Sequence, residues 1–227
     1  MKNILITMMV ASFVAVFLRA QPIIPDNLIA EKSDGYFTLL AGQGKFSGSL
    51  LITRDGKTVV SKSYGLANQE YGIPNTAQTI FRIGSLSKQF TAFAVMQLVD
   101  KGLLQLTDPV SKFLPDYPHG AKITIHHLLS HTSGIPREKT ATETARFLTA
   151  RQIVYFEKDI ANKLLFEPGS GFHYSNVGYN LLACIAELAS KKDFAAYVAE
   201  NILAPLGMRQ TGFLTQEDWG ALIFRRP

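Results

Sequence analysis

Apolar positions change their spacing near residue 84, dividing the expected elements into an early β part and a late helical part. Ser49-Leu50-Leu51-Ile52-Thr53 and Thr58-Val59-Val60-Ser61 are two β-prone runs around Arg54-Asp55-Gly56-Lys57. An Asp-Gly pair between such runs predicts a two-stranded hairpin. Upstream, Asp26 is placed to cap a weak helix running toward Leu40, with Gly42, Gly44 and Gly48 breaking the pattern. Residues 64–79 read as an irregular polar connection broken by Gly65, Gly72 and Pro74.

After Gly84 the period becomes helical. Leu86, Phe90, Phe93, Ala94, Gln97 and Leu98 form the strongest stripe, starting near Ser85 and closed by Gly102. Ala92, Val95, Met96 and Val99 are apolar off that stripe, so burial on most sides is expected. Asp108-Pro109 should open a short helix with Pro at its first position. Thr124 should cap another through Ser130, and residues 141–166 read as largely helical up to Pro168-Gly169. Val177, Leu181, Leu182, Ile185, Leu188 and Ala189 mark a further helix, and residues 193–203 the last. One hairpin does not make a stable sheet alone, so the pattern implies a mostly helical protein or a sheet whose other strands are missing.

Composition narrows the function classes. The 227 residues carry 23 Lys and Arg against 18 Asp and Glu, a formal charge of +5. Lys2 and Arg19 lie in the first twenty positions, which hold no acid, and the remaining charge is spread without a basic block. That excludes the clustered footprint of a nucleic-acid binder. Lys2, the apolar run 4–18 and Ala20-Gln21 read as a secretory signal peptide over residues 1–20, and an uncleaved version would be an N-terminal membrane anchor. The expected location is therefore exported, periplasmic or extracellular, with membrane association through an uncleaved N-terminus as the variant. The lone Cys184 excludes a disulfide framework and sits on an apolar stripe, as a packed side chain would. His127 and His131 are four apart and could share a helix face, but no acidic third ligand stands near them, so no metal is expected.

Two short motifs carry candidate chemistry. Ser85 and Lys88 stand one helical turn apart at the start of the strongest helix. A serine hydroxyl needs a neighbouring base, and a lysine in an apolar, water-poor site can serve as one. The helix N-terminus favours negative charge developing at Ser85. Ser-x-x-Lys arises by chance about once in a chain of this length, so alone it decides little. Tyr174-Ser175-Asn176 follows a Pro168-Gly169 turn and opens a helix. There a tyrosine beside a lysine can relay protons, and an asparagine amide can hold both a lysine and a substrate carbonyl. The alternative is structural, with Asn176 a helix cap behind a packed tyrosine.

Phe81-Arg82-Ile83-Gly84-Ser85-Leu86-Ser87-Lys88-Gln89-Phe90-Thr91-Ala92 closely resembles the active-serine segment of the class C β-lactamase and D-alanyl-D-alanine carboxypeptidase group, the penicillin-binding-protein-like serine hydrolases. Gly65-Leu66-Ala67-Asn68, Leu128-Leu129-Ser130-His131-Thr132-Ser133-Gly134-Ile135, Tyr174-Ser175-Asn176-Val177-Gly178-Tyr179 and Pro205-Leu206-Gly207-Met208 follow in the family's order. The resemblance implies an α+β, β-lactamase/transpeptidase-like fold. This is a helical subdomain plus an antiparallel sheet flanked by helices, with the C-terminal sheet strands missing. It implies an incomplete hydrolase domain over residues 21–227, helical over about 105–205. It also implies Ser85 as the acylated nucleophile, Lys88 as its proton acceptor, Tyr174 as base or relay and Asn176 as the residue positioning Lys88 and the substrate amide. The substrate would be a β-lactam, a D-Ala-D-Ala peptide or a small ester, cleaved without a cofactor.

The chain departs from that family in one respect. No Lys or His stands two residues before a Gly anywhere in the 227 residues, and Gln210-Thr211-Gly212 falls too early to be the family's third motif. The missing element would carry the second oxyanion-hole N–H, a donor worth about 10² to 10³ in turnover. The expectation is therefore a C-terminally truncated member with impaired activity; the alternative is a pseudoenzyme or a module that binds peptidoglycan or a partner.

Overall fold

The computed structural model describes residues 24–137 and 149–213, and of Phe156 the backbone alone. The apolar leader over residues 1–20, residues 141–148 of the expected long helix, and Trp219 lie outside the described residues. The chain forms two compact units, residues 1–81 and 82–227. No helix among the described residues is long and apolar enough to cross a membrane.

In the first unit, α1 (Asp26–Gly42) precedes β1 (Gly48–Arg54) and β2 (Lys57–Tyr64). The strands pair antiparallel, from Gly48 opposite Tyr64 to Arg54 opposite Lys57. Asp55 and Gly56 both have positive φ, 51° and 74°, the two-residue turn whose twist suits a hairpin. Helix α1 lies on β2, where Asp34 accepts a hydrogen bond from the Tyr64 hydroxyl at 3.0 Å and pairs with Lys62 at 2.7 Å. Phe37 packs against the rings of Phe46 and Tyr64 at 4.7 and 5.7 Å. The stretch expected to be irregular contains a second small antiparallel sheet, β3 (Leu66–Asn68) with β4 (Ile73–Pro74). Its strands are too short for alternation to register. The side-chain amide of Asn75 bonds the Tyr64 carbonyl and the Ser47 hydroxyl, and so anchors it.

The second unit is built around two helices, α2 (Ser87–Asp100) and α5 (Asn176–Ser190). Ala94, Val95 and Leu98 of α2 and Val177, Leu181, Leu182 and Ile185 of α5 are buried in one hydrophobic cluster. The short helix α3 (Ile125–Leu129) adds Leu128 to it, α4 (Ala150–Glu157) adds Val154, and α6 (Phe194–Val198) adds Tyr197 and Val198. A π-helical turn, Ala199–Leu203, continues α6. The Thr124 cap is present as expected, accepting from the His127 N–H, with Ser130 closing the helix.

Four expectations need correction. Asp26 does not cap α1: Pro25 is the cap residue, no side chain caps the helix, and the Asp26 carboxylate pairs with Arg54 instead. Helix α2 is buried on one side only, because Phe93 and Met96 stand 53% and 39% exposed, and Leu86 in the turn before it is 64% exposed. Its apolar residues exceed what its packed neighbours cover. Pro109 is not the first helical residue but the extended residue before a 3-10 turn, Val110–Lys112. It is held there by a bridge to Thr124, so tertiary pairing overrides the local preference. The described part of the helix expected over 141–166 is α4 followed by a 3-10 turn, Lys158–Asn162, and not one continuous helix. Cys184 is fully buried on α5, and burial pushes its thiol up to about 11.

Gly134 is the tightest backbone approach in the second unit. Its φ is 77°, and a Cβ there would lie 2.2 Å from the Phe166 carbonyl oxygen, while its own carbonyl accepts from the Leu165 N–H at 2.8 Å. At Gly56 a Cβ would meet nothing within 4 Å. Gly56→Ala and Gly134→Ala both place a side chain at positive φ, a cost of about 1–2 kcal/mol. Only Gly134→Ala adds a collision with backbone. Urea unfolding followed by circular dichroism should give a clearly lower midpoint for Gly134→Ala than for Gly56→Ala; equal midpoints would refute the close approach.

Candidate active site

Ser85 lies in a 3-10 turn, Gly84–Leu86, that leads directly into α2. Gly84 at φ 53° turns the chain, and the Ser87 hydroxyl donates to the Gly84 carbonyl at 2.8 Å. Ser85 is therefore not spent as a cap. Residues three apart on such a turn lie one above the other, which brings Lys88 over Ser85. Lys88 Nζ donates to Ser85 Oγ at 3.4 Å and to Asn176 Oδ1 at 2.7 Å. The Tyr174 hydroxyl donates to Ser85 Oγ at 2.8 Å. The four side chains singled out in the sequence thus meet in one place, on the starts of α2 and α5.

The start of α5 explains how Tyr174 and Asn176 come to flank Ser175. Ser175, 1% exposed, caps the helix by accepting from the Gly178 N–H at 3.2 Å and donates to the Pro136 carbonyl at 2.9 Å. The Asn176 and Val177 N–H groups both reach the Arg137 carbonyl, at 2.8 and 3.3 Å. The cap is Ser175 and not Asn176, and the Asn176 amide oxygen accepts from Lys88.

Lys88 is half-buried among polar and aromatic groups, not in an apolar, water-poor pocket. Its Nζ stands 4.9 Å from the Tyr174 ring centre and 5.5 Å from that of Tyr179. The ammonium of Lys88, then the hydroxyl of Ser85, hold the Tyr174 phenol below its ordinary range, with Arg137 adding to the effect. Tyr179, which donates to the Leu129 carbonyl at 3.1 Å, is pushed up by burial.

His127 and His131 do not share a helix face. His127 sits in α3, where its Nδ1 accepts from the Thr124 N–H at 3.3 Å and completes the cap. His131 lies beyond the end of α3 at φ 59°. Its ring stacks 4.4 Å from Tyr174 and 5.0 Å from Tyr179, and its Nδ1 accepts from the Ser175 N–H at 3.2 Å. Its place beside Tyr174 escaped a sequence reading that weighed the two histidines only as ligands. The signal was there in His131-Thr132-Ser133-Gly134, a turn of polar and small residues directly after a capped helix. Gln210-Thr211-Gly212 is exposed and belongs to no strand.

Residues 26–221 match the family described as beta-lactamase. The chain is 36% identical over 168 residues to the penicillin-binding protein PbpX of Bacillus subtilis (strain 168), covering 74% of this chain and 41% of that protein. Among solved structures it is similar to the octameric penicillin-binding protein homologue from Pyrococcus abyssi, at 35% identity and TM-score 0.70, covering 79% of this chain and 43% of that one. The D-amino acid amidase from Ochrobactrum anthropi SV3 is similar at 30% identity and TM-score 0.68, covering 78% and 49%. The chain thus spans about two fifths of the length of the curated relatives it matches. The fold is the β-lactamase and penicillin-binding-protein one, here with helices and small antiparallel sheets.

The link between Lys88 and Tyr174 is testable directly. With tyrosines labelled at 13Cζ, the signal lost in Tyr174→Phe should ionise below the ordinary tyrosine value of about 10. Lys88→Met removes the cation, so the same signal should ionise at higher pH. An unchanged midpoint in Lys88→Met would refute the electrostatic link.

Proposed function

Because the chain belongs to the β-lactamase family of serine hydrolases, we propose that Ser85 attacks the carbonyl of an amide or ester and is acylated by it. The observation that carries this reading is the pair of contacts on Ser85 Oγ, from Tyr174 at 2.8 Å and Lys88 at 3.4 Å, with Asn176 holding the lysine. The lowered Tyr174 phenol supports its role as base. Once it is ionised, the 2.8 Å contact reverses and Ser85 donates into it. The Ser85 oxygen then bonds to the carbonyl carbon while its proton passes to the phenolate. Collapse of the tetrahedral adduct breaks the bond to the leaving nitrogen or oxygen, which takes that proton from Tyr174. A water then repeats the sequence on the acyl-Ser85 ester, again with Tyr174 as proton acceptor, releasing the carboxylic acid. The Lys88 ammonium stays beside the phenolate, and the Ser85 main-chain N–H supplies one donor to the developing oxyanion.

The relatives' names, penicillin-binding protein and D-amino acid amidase, favour an amide carbonyl: a β-lactam or a D-Ala-D-Ala-type peptidoglycan stem, with small esters as the simpler probe. Export, cleaved or anchored at residues 1–20, fits such a cell-wall substrate and rests on Lys2 and the apolar run after it.

A fluorophosphonate or fluorescent penicillin should label the 227-residue chain at Ser85, and Ser85→Ala should abolish labelling. Tyr174→Phe should slow it by about 10² to 10⁴, the range of a lost general base. Labelling that survives Ser85→Ala would sink the proposal.

A further inference from the structure

His131 is the titratable group that the site's geometry uses and its proposed chemistry does not. Its carbonyl accepts from the His173 N–H at 2.9 Å and its Nδ1 from the Ser175 N–H at 3.2 Å. The residue therefore grips the main chain immediately before and immediately after Tyr174. Its ring also lies 4.4 Å from the Tyr174 ring at 32°, with Tyr179 at 5.0 Å and the Phe172 ring edge-on at 6.0 Å. An aromatic side chain held by its backbone on both sides and by its face has little freedom left. The Tyr174 hydroxyl is in this way fixed on Ser85.

A backbone N–H is always a donor, so Nδ1 must be bare and the neutral ring carries its hydrogen on Nε2. The charged and titratable groups around it are Lys88 from α2, Tyr174 and His173 from the loop, and Tyr179 from α5. Arg137 lies 5.8 Å from the Tyr174 ring, and His126 and His127 precede His131 on α3. Burial first, and then the Lys88 ammonium, hold the imidazole below its ordinary range. A second proton would put an N–H against the Ser175 N–H and a cation on the Tyr174 ring beside Lys88.

We propose that neutral His131 is a positioning residue for Ser85 acylation, setting the main chain and ring of Tyr174 so that its phenol reaches Ser85. This rests on the Ser85 chemistry proposed above. Acid then switches the site off through His131 as well as through Tyr174.

Two variants separate the acceptor from the ring. His131→Asn offers a side-chain oxygen to the Ser175 N–H and tolerates positive φ. His131→Phe keeps a ring between the tyrosines but has no acceptor. In the full chain, Ser85 labelling should fall with acid at a midpoint below the ordinary histidine value of about 6.5, as the desolvation of His131 and the Lys88 ammonium beside it require. His131→Asn, which keeps the acceptor but not the ring face, should be slower at neutral pH and lose that histidine-dependent fall. His131→Phe should be slower by about 10²-fold at every pH, the cost of a misplaced group. An acid fall of the same midpoint and size in His131→Asn overturns the proposal. A second readout needs no catalysis: the Ser175 amide proton should move upfield with the same midpoint as His131 Cε1–H, and stay still over that range in His131→Asn. A Ser175 amide that ignores the His131 titration overturns the proposal even where Ser85 labels normally. Ser85 that never labels while the Ser175 amide follows His131 supports the positioning role and counts against the Ser85 chemistry instead.

Discussion

A buried helix start must find acceptors for N–H groups that its own first turn cannot satisfy. Helix α5 meets that requirement with three different partners. Gly178 uses the Ser175 hydroxyl, Asn176 and Val177 share the Arg137 carbonyl, and the Ser175 N–H uses the His131 ring. An orphaned buried donor costs about 1–3 kcal/mol, so this set of bonds strongly disfavours any other docking of the helix. Everything chemical follows from that docking. Tyr174 precedes the cap and Asn176 follows it, so fixing Ser175 delivers one side chain to Ser85 and the other to Lys88.

Charge at the site runs opposite to what a buried lysine would suggest. A desolvated lysine gives up its proton and becomes the base. Here Lys88 sits half-buried with a hydrogen bond to Asn176 Oδ1 and two tyrosine faces beside it, all of which suit a cation. The perturbed group is its neighbour, the Tyr174 phenol, whose charged form the ammonium stabilises. The shorter contact to Ser85 also belongs to Tyr174. Geometry and electrostatics therefore single out the tyrosine as the perturbed group on Ser85, with the lysine held beside it.

Where one local signal decided the outcome, the sequence was legible. Asp55-Gly56 specifies its own turn, Thr124 its own helix start, and the 177–189 stripe its own buried face. Ser85 and the three side chains around it were legible as motifs because their spacing is local, three residues in one case and two in the other. Features set by remote partners were not. Pro109 is extended because it pairs with Thr124, and β3 with β4 is held by Asn75 reaching Tyr64 and Ser47. The α2 stripe promised burial that its surroundings deliver on one side only, since periodicity states what a helix can bury and not what meets it.

His131 is the sharpest case of this limit. On paper it is the fourth residue after His127, and a helical i, i+4 pair invites a ligand reading. Capping by Thr124 and termination at Ser130 place it past the helix, at a positive φ of 59°. Its partners, Tyr174, Ser175 and Tyr179, lie more than forty residues away, beyond any local pattern. A neutral imidazole suits this place better than a phenyl ring or a plain amide. It offers a flat face to two tyrosines and an acceptor to a backbone donor at the same time.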